Sequence, residues 1–326
     1  MSPGWRRPLH VALTVAMLAL LLAGARTVHW GEVWRAVRHA SPVALVAAAI
    51  VNLLSLLLRG TRWWLFLRAS GAPALGTALR GAVVASGLNN VLPANGGDAT
   101  RVLLVARREG VSSATVLATV ALDRLVELLS SAALLVAAPL VLPLPAPLRD
   151  WRGRGAVALA AIVALCALLM WRAARSPSPH PVHATERTTP AGGGRWRTVR
   201  DYLARFAHGI TGLATPRRLG AALALSLLSW VGQAAVYHLT SRAAGFPASL
   251  AASTAAMLAV NLAFVVQTTP GNVGVFQLVY ALVMAAFGLP HSAAVGVALL
   301  IQALQIVPVT ALALLLAPHL ARRRHA

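Results

Sequence analysis

The sequence predicts an all-α membrane protein: a polytopic helix bundle of about eight spans with broken or re-entrant hairpins and an inverted-topology internal repeat. Three observations lead there. Hydrophobic residues make up 58% of the chain and charged residues 11%, with a mean hydropathy of +0.71, outside the range of soluble globular domains. Apolar windows of the roughly 20 residues that a spanning helix needs recur along the chain. A Pro-x-Asn-x-Gly break occurs twice, at Pro93-Ala94-Asn95-Gly96-Gly97 and at Pro270-Gly271-Asn272-Val273-Gly274.

Taken in order, the first window, 8–25, follows Arg6 and Arg7 and ends in Ala23-Gly24-Ala25. That ending also resembles a signal-peptidase site, but with so many spans behind it an uncleaved first helix is expected. Trp30, Val33, Trp34 and Val37 fall on one helical face, with Glu32, Arg35 and Arg38 elsewhere, as in a helix lying at the membrane interface. Windows at 42–58 and 74–92 follow, the second running into the first break. The window 112–142 is long and carries Asp123, Arg124 and Glu127 near its middle, and 155–171 closes this half. Ser176-Pro177-Ser178-Pro179-His180-Pro181 and Gly192-Gly193-Gly194 are too rich in Pro and Gly for regular structure and read as linker. Trp196, Val199, Leu203, Phe206, Ile210 and Leu213 then repeat the amphipathic pattern among Arg197, Arg200 and Arg205. Windows at 218–241, 247–267, 272–289 and 292–317 complete the chain.

The two halves match in order and spacing. Residues 1–172 form the first membrane half and 173–216 a cytoplasmic linker with an amphipathic helix. Residues 217–326 form the core of the second half, whose first span is 155–171. The hairpin at 74–110 starts and ends inside and that at 247–289 outside, which makes the repeat inverted.

The formal charge of +21 comes from 29 arginines, no lysine and 8 acidic residues. A soluble chain this basic would suggest nucleic acid, but here the arginines gather where apolar runs end. Positive-inside topology accounts for them, and no nucleic-acid partner is expected. The arginines between Arg172 and Arg218, with Arg322, Arg323 and Arg324, put the linker and the C-terminus in the cytoplasm; counting back through the spans puts the N-terminus, Arg59, Arg62, Arg68, Arg101, Arg107 and Arg108 on the same side. Cys166 is the single cysteine, which excludes a disulfide or a Cys-based metal site. The ten histidines never pair at metal-ligand spacing and no phosphate-binding nucleotide loop is present, so no cofactor and no metal are expected. The longest polar tract, Arg172 to Arg217, is too short for a soluble catalytic domain, which runs to at least about 50 residues.

The chemistry is expected at the breaks. Pro removes a backbone donor and Gly admits non-helical dihedrals, so each break frees N–H and C=O groups that a bilayer tolerates only inside protein or beside a wet cavity. The alternative is a tight turn between two full spans at the far membrane surface. Asn90, Asn95, Asp98 and Arg101 cluster at the first break, and Asp123, Arg124 and Glu127 lie at comparable depth. Each ionised group at mid-bilayer costs at least about 2.5–3.5 kcal/mol, and charges placed there mark a pathway or a site. Asn272 and Gln277 mark the second break, and Pro93, Gly96, Gly97, Pro270, Gly271 and Gly274 are the helix-breaking residues. A helix beginning at Gly96 or at Asn272 would aim its positive end at an anion.

Leu88-Asn89-Asn90-Val91-Leu92-Pro93-Ala94-Asn95-Gly96-Gly97-Asp98-Ala99-Thr100-Arg101, the later Asp123-Arg124, and Thr269-Pro270-Gly271-Asn272-Val273-Gly274-Val275-Phe276-Gln277 resemble the membrane region of the lysylphosphatidylglycerol synthase/flippase family. The resemblance covers about 9–317. It implies an eight-span or similar bundle with re-entrant elements and a lipid-flipping role. It also takes in stand-alone membrane proteins and relatives linked to polyprenyl-phosphate glycosyl transfer. The resemblance implies Glu at position 277 and Arg at position 302; this chain has Gln277 and Gln302. No aminoacyl-transferase domain follows Ala326 in this sequence, so lysyl transfer is not expected of it.

The expectation is therefore a lipid translocase of the cell membrane that moves a phospholipid or polyprenyl-linked lipid between leaflets. Arg124, helped by Arg101 and the broken-helix N-termini, would hold the lipid phosphate, with Asp98, Asp123 and Glu127 balancing charge or taking a cationic head group. The second reading is a membrane-embedded glycosyl or phosphoryl transferase acting on a lipid carrier. The third is a non-catalytic partner of a separately encoded lipid-modifying enzyme.

Overall fold

The computed structural model describes residues 29–69, 71, 74–91, 96–142, 157–158, 160–164, 168, 215–264 and 272–321. Among them regular structure is helical and no strand occurs, the all-α class that the composition predicts. The run 8–25, Pro93, Asn95, Cys166, the linker, the second amphipathic segment, Pro270, Gly271 and Arg322 to Arg324 lie outside the described residues.

In chain order the helices are α1 (Trp30–Arg38), α2 (Pro42–Ala69), α3 (Leu75–Asn89), α4 (Gly96–Glu109), α5 (Ser113–Val141), α6 (Pro216–Ala243), α7 (Leu250–Ala263), α8 (Val275–Ala286) and α9 (His291–Ala321). Local chemistry explains where they start. Pro42 and Pro216 open α2 and α6, where a missing N–H costs nothing and φ is already helical. Ser112 and Ser249 cap α5 and α7, each hydroxyl accepting from the backbone N–H three residues on at 3.1 Å.

Length sorts these helices. Pro42–Ala69, Pro216–Ala243 and His291–Ala317 are each long and apolar enough to cross a membrane, and α5, with 29 residues, is as long. By contrast α3, α4, α7 and α8 have 15, 14, 14 and 12 residues. They rise about 18–23 Å against roughly 30 Å of hydrocarbon, so none crosses alone. These short helices pack as sequential pairs, α3 on α4 and α7 on α8, each pair flanking one break. Full spans meeting in a surface turn would need longer helices, so the geometry favours the broken-hairpin reading.

Two compact units divide the described residues. One takes those of 1–49 and 234–305, the other those of 50–233 and 306–326. In the first, Tyr237 of α6 packs on Phe276 and Tyr280 of α8 with ring centroids 5.9 and 6.1 Å apart. The Tyr280 hydroxyl lies 2.9 Å from that of Ser241. Helix α1 keeps Val33 buried and Trp30 and Trp34 exposed, as its amphipathic pattern predicts only in part, since all three were expected on one face. Both ends of the α1 segment are tied down: His29 donates its backbone N–H to Ser292, and Ser41 donates to the Ala243 carbonyl.

In the second unit, Trp63 and Leu67 of α2, Ala78 of α3, Val102 and Val105 of α4 and Val116 and Val120 of α5 form one buried core. Phe66, Leu122, Val126, Leu219 and Ala222 extend it to α6. Leu56, Val83, Val309 and Ala313 extend it to the end of α9. Small residues set how closely the hairpin closes. A Cβ on Gly97 would overlap the Ala85 carbonyl oxygen, so α4 begins hard against α3. Gly97→Ala is therefore expected to destabilise by about 1–3 kcal/mol through overpacking. Gly76→Ala, with nothing within 4 Å, should be neutral or gain up to about 1 kcal/mol. Melting in detergent checks this: equal melting of Gly97→Ala and wild type would contradict the close α3–α4 contact.

Candidate functional site

The sequence ends the second window at residue 58 because Arg59 and Arg62 lower its hydropathy. The helix runs on to Ala69, because Trp63-Trp64-Leu65-Phe66-Leu67 is apolar and supplies core on the next two turns. Arg59 and Arg62 thus lie within α2 and not beyond its end, and Arg62 is only 1% exposed.

Arg62 is buried against acids of α5. Its Nε donates to Asp123 Oδ1 at 2.7 Å, its Nη1 to the Ser226 hydroxyl of α6 at 2.8 Å and its Nη2 to Glu127 Oε2 at 3.4 Å. Asp123 turns its other oxygen to Arg101 Nη2, 3.8 Å away, and Arg101 Nε lies 3.2 Å from Asp98 Oδ1. Arg124 takes the second oxygen of Asp98 through Nε at 3.1 Å and also through Nη2. Its Nη1 donates to Glu127 Oε2 at 2.9 Å. The six salt bridges therefore close a ring, Arg62·Asp123·Arg101·Asp98·Arg124·Glu127, in which every carboxylate serves two guanidinium groups. Alternation around the ring cancels three positive charges with three negative ones.

The ring has a dry side and a wet side. Side-chain exposure is 1% at Arg62, 5% at Asp123 and 6% at Arg101, but 16% at Asp98, 19% at Glu127 and 44% at Arg124. Helical spacing supplies the alignment: Asp98 and Arg101 are three apart on α4, as are Arg124 and Glu127 on α5. Arg101 also lies over the buried Trp63 ring, 4.6 Å from its centroid, yet its Nε and Nη2 make no hydrogen bond. A pocket opens on this ring, bounded also by Arg59, Leu56, Ala82, Ser86 and Asn89. Guanidinium groups separate the carboxylates, and among the described residues no three His, Cys, Asp or Glu side chains converge as a metal would require.

The structure thus brings Asp98, Arg101, Asp123, Arg124 and Glu127 together and adds Arg59, Arg62 and Asn89. Asn90 turns the other way and donates to Thr310 at 3.0 Å, whereas Asn89 accepts from the Gly97 N–H at 2.8 Å and lines the pocket. Helix α4 does begin at Gly96, but Asn89 and the first-turn Asp98 already complement its positive end. The second break differs from expectation. Its helix starts at Val275, not Asn272, because Gly274 takes φ +89° as N-cap. Asn272 is 5% exposed with φ +52°, and Gln277 accepts from the Gly274 N–H at 2.6 Å. Neither borders the pocket.

With this geometry, the comparison with known proteins is decisive on ancestry. The family model described as "Lysylphosphatidylglycerol synthase TM region" matches residues 9–313. The chain belongs to this family. A curated relative, "Glycosyltransferase AglD" of Haloferax volcanii, is 34% identical over 123 residues, which are 37% of this chain and 19% of that protein. This member of the lysylphosphatidylglycerol synthase membrane-region family is thus similar to a small part of a much longer relative. Its two departures from the resemblance are also one change: Gln277 Nε2 donates to Gln302 Oε1, so a neutral pair stands where opposite charges were implied.

Stability should follow burial around the ring. Asp123→Asn leaves Arg62 and Arg101 without their shared carboxylate and should cost about 3–5 kcal/mol. Glu127→Gln, on the wetter side, should cost clearly less. Melting temperatures in detergent report the order, and a larger loss at Glu127 would contradict the dry-side assignment.

Proposed function

We propose that this membrane protein is a lipid translocase, moving a phospholipid or polyprenyl-linked lipid between leaflets of the cell membrane with both termini in the cytoplasm. The observation that carries this reading is the closed charge ring, with a half-exposed arginine, opening on a pocket among membrane-spanning helices. An apolar bundle needs no such ring for stability, since a buried ion pair is often no better than a hydrophobic pair of the same volume. A head group passing this depth does need polar partners. The lipid phosphate is held by Arg124, the most exposed member of the ring, whose planar fork suits phosphate, while Arg101 backs it from the buried side through their shared partner Asp98. Membership in the lysylphosphatidylglycerol synthase membrane-region family supports a lipid ligand.

The similarity to a glycosyltransferase keeps a second reading, transfer onto a lipid carrier, in view. That chemistry asks for a carboxylate base, and here each of the three carboxylates lies between two guanidinium groups. A partnership with a separately encoded lipid-modifying enzyme is compatible with either reading.

Proteoliposomes test the proposal. Wild-type protein should speed the leaflet exchange of a fluorescent phospholipid above that of protein-free vesicles. Replacing Arg124 and Glu127 together with Leu leaves two arginines and two acids in the ring, so the double variant should fold better than Arg124→Leu alone and still lose most translocation. Full translocation by the double variant would remove Arg124 from the phosphate site. Turnover of a lipid-linked sugar by purified wild type, without exchange, would favour the transferase.

A further inference from the structure

Arg59 is the charge that the ring does not use. Four guanidinium groups border the pocket, those of Arg59, Arg62, Arg101 and Arg124, against three carboxylates, those of Asp98, Asp123 and Glu127. Four minus three leaves one positive charge. The ring is neutral in itself and Arg59 lies outside its six salt bridges, so adding Arg59 gives the cluster its surplus. Among the described residues Arg59 makes no salt bridge. Its guanidinium lies over Trp230 of α6, 5.8 Å from the ring centroid, a partner that holds a cation without cancelling its charge. Arg59 precedes Arg62 by one helical turn, so the two side chains lie on neighbouring positions of one face of α2.

An uncompensated cation inside an apolar helix is costly, and an anion brought from outside removes that cost. We propose that Arg59 sets the charge of the ligand, and that the site selects a head group of net charge −1, a phosphodiester. Such a ligand brings the pocket to four positive and four negative charges. A zwitterionic or net-cationic head group leaves the surplus on Arg59 in place. A dianionic phosphomonoester overshoots to net −1 and forces a proton onto a carboxylate already shared by two arginines. The inference rests on the lipid reading above for what carries the phosphodiester, but the charge rule itself concerns binding alone.

The test is binding by the full chain, purified and delipidated in a neutral detergent. Phosphatidylmethanol serves as a bare monoanionic diester, phosphatidylcholine as the zwitterion and dianionic phosphatidic acid as the monoester, all with the same acyl chains; dimethyl phosphate is the chain-free diester. Wild type should bind phosphatidylmethanol at least about tenfold more tightly than either other lipid. Arg59→Gln should abolish most of that ratio without lowering the melting temperature of the lipid-free protein, and Arg59→Lys should keep it. Equal affinity of wild type for the three lipids overturns the proposal whether or not any variant folds, and so does an unchanged ratio in Arg59→Gln. Binding of dimethyl phosphate as tight as that of phosphatidylmethanol supports the charge rule while removing the lipid reading. Selective binding without leaflet exchange in proteoliposomes likewise supports the charge rule and counts against the translocase alone.

Discussion

Charges buried among packed apolar helices must be neutralised by one another, because too little water reaches them to do it. In this protein three arginines and three acids meet that constraint by alternating in a closed ring, and much of the second unit is arranged to make the closure possible. Arg62 brings α2, Asp98 and Arg101 bring α4, and Asp123, Arg124 and Glu127 bring α5 to one place, while Ser226 adds α6. With every carboxylate shared, removing any member leaves two neighbours unsatisfied. The ring therefore acts as a tie between helices as well as a lining for the pocket. It also leaves Arg59 outside the six salt bridges, so the arginines that border the pocket outnumber its carboxylates by one.

The close pairing of α3 and α4 delivers the first turns of α4 to this ring. A helix starting at Gly96 reaches Asp98 and Arg101 within two turns, and it can start there because Gly97 lets its backbone press on Ala85 while Asn89 takes up a backbone N–H that the helix cannot satisfy. The break thus sets the position of charged side chains as much as it exposes backbone. At the second break the same devices serve a neutral interior: Gly274 turns the chain, Gln277 satisfies its N–H, and Gln302 takes the remaining amide.

Much of this was legible in the sequence. The window 112–142 and the helix Ser113–Val141 agree because a serine cap and a long apolar run are local signals. The charged cluster was recognisable because Asp98, Arg101, Asp123, Arg124 and Glu127 interrupt otherwise apolar stretches. Arg62 was missed because hydropathy treats an arginine after an apolar run as the end of a span, and its partner Asp123 lies 61 residues away, beyond any local pattern. The choice between Asn89 and Asn90 turns on about 100° of helical rotation, which no composition reveals. The start of the second broken helix was displaced to Val275 by a glycine dihedral that the motif Pro-x-Asn-x-Gly permits without locating.

A cooperative ring differs from a set of separate ion pairs in one measurable way. Arg62 and Asp98 stand on opposite sides of it and share no salt bridge, yet removing both charges leaves Arg101 and Arg124 balanced by Asp123 and Glu127. A double-mutant cycle with Arg62→Gln and Asp98→Asn, read as unfolding free energy in detergent, tests this directly. The closed ring predicts that the double variant is less destabilised than the sum of the single ones by about 0.5–3 kcal/mol, the range for residues in one network. Additivity to within about 0.5 kcal/mol, as for distant independent sites, would contradict it.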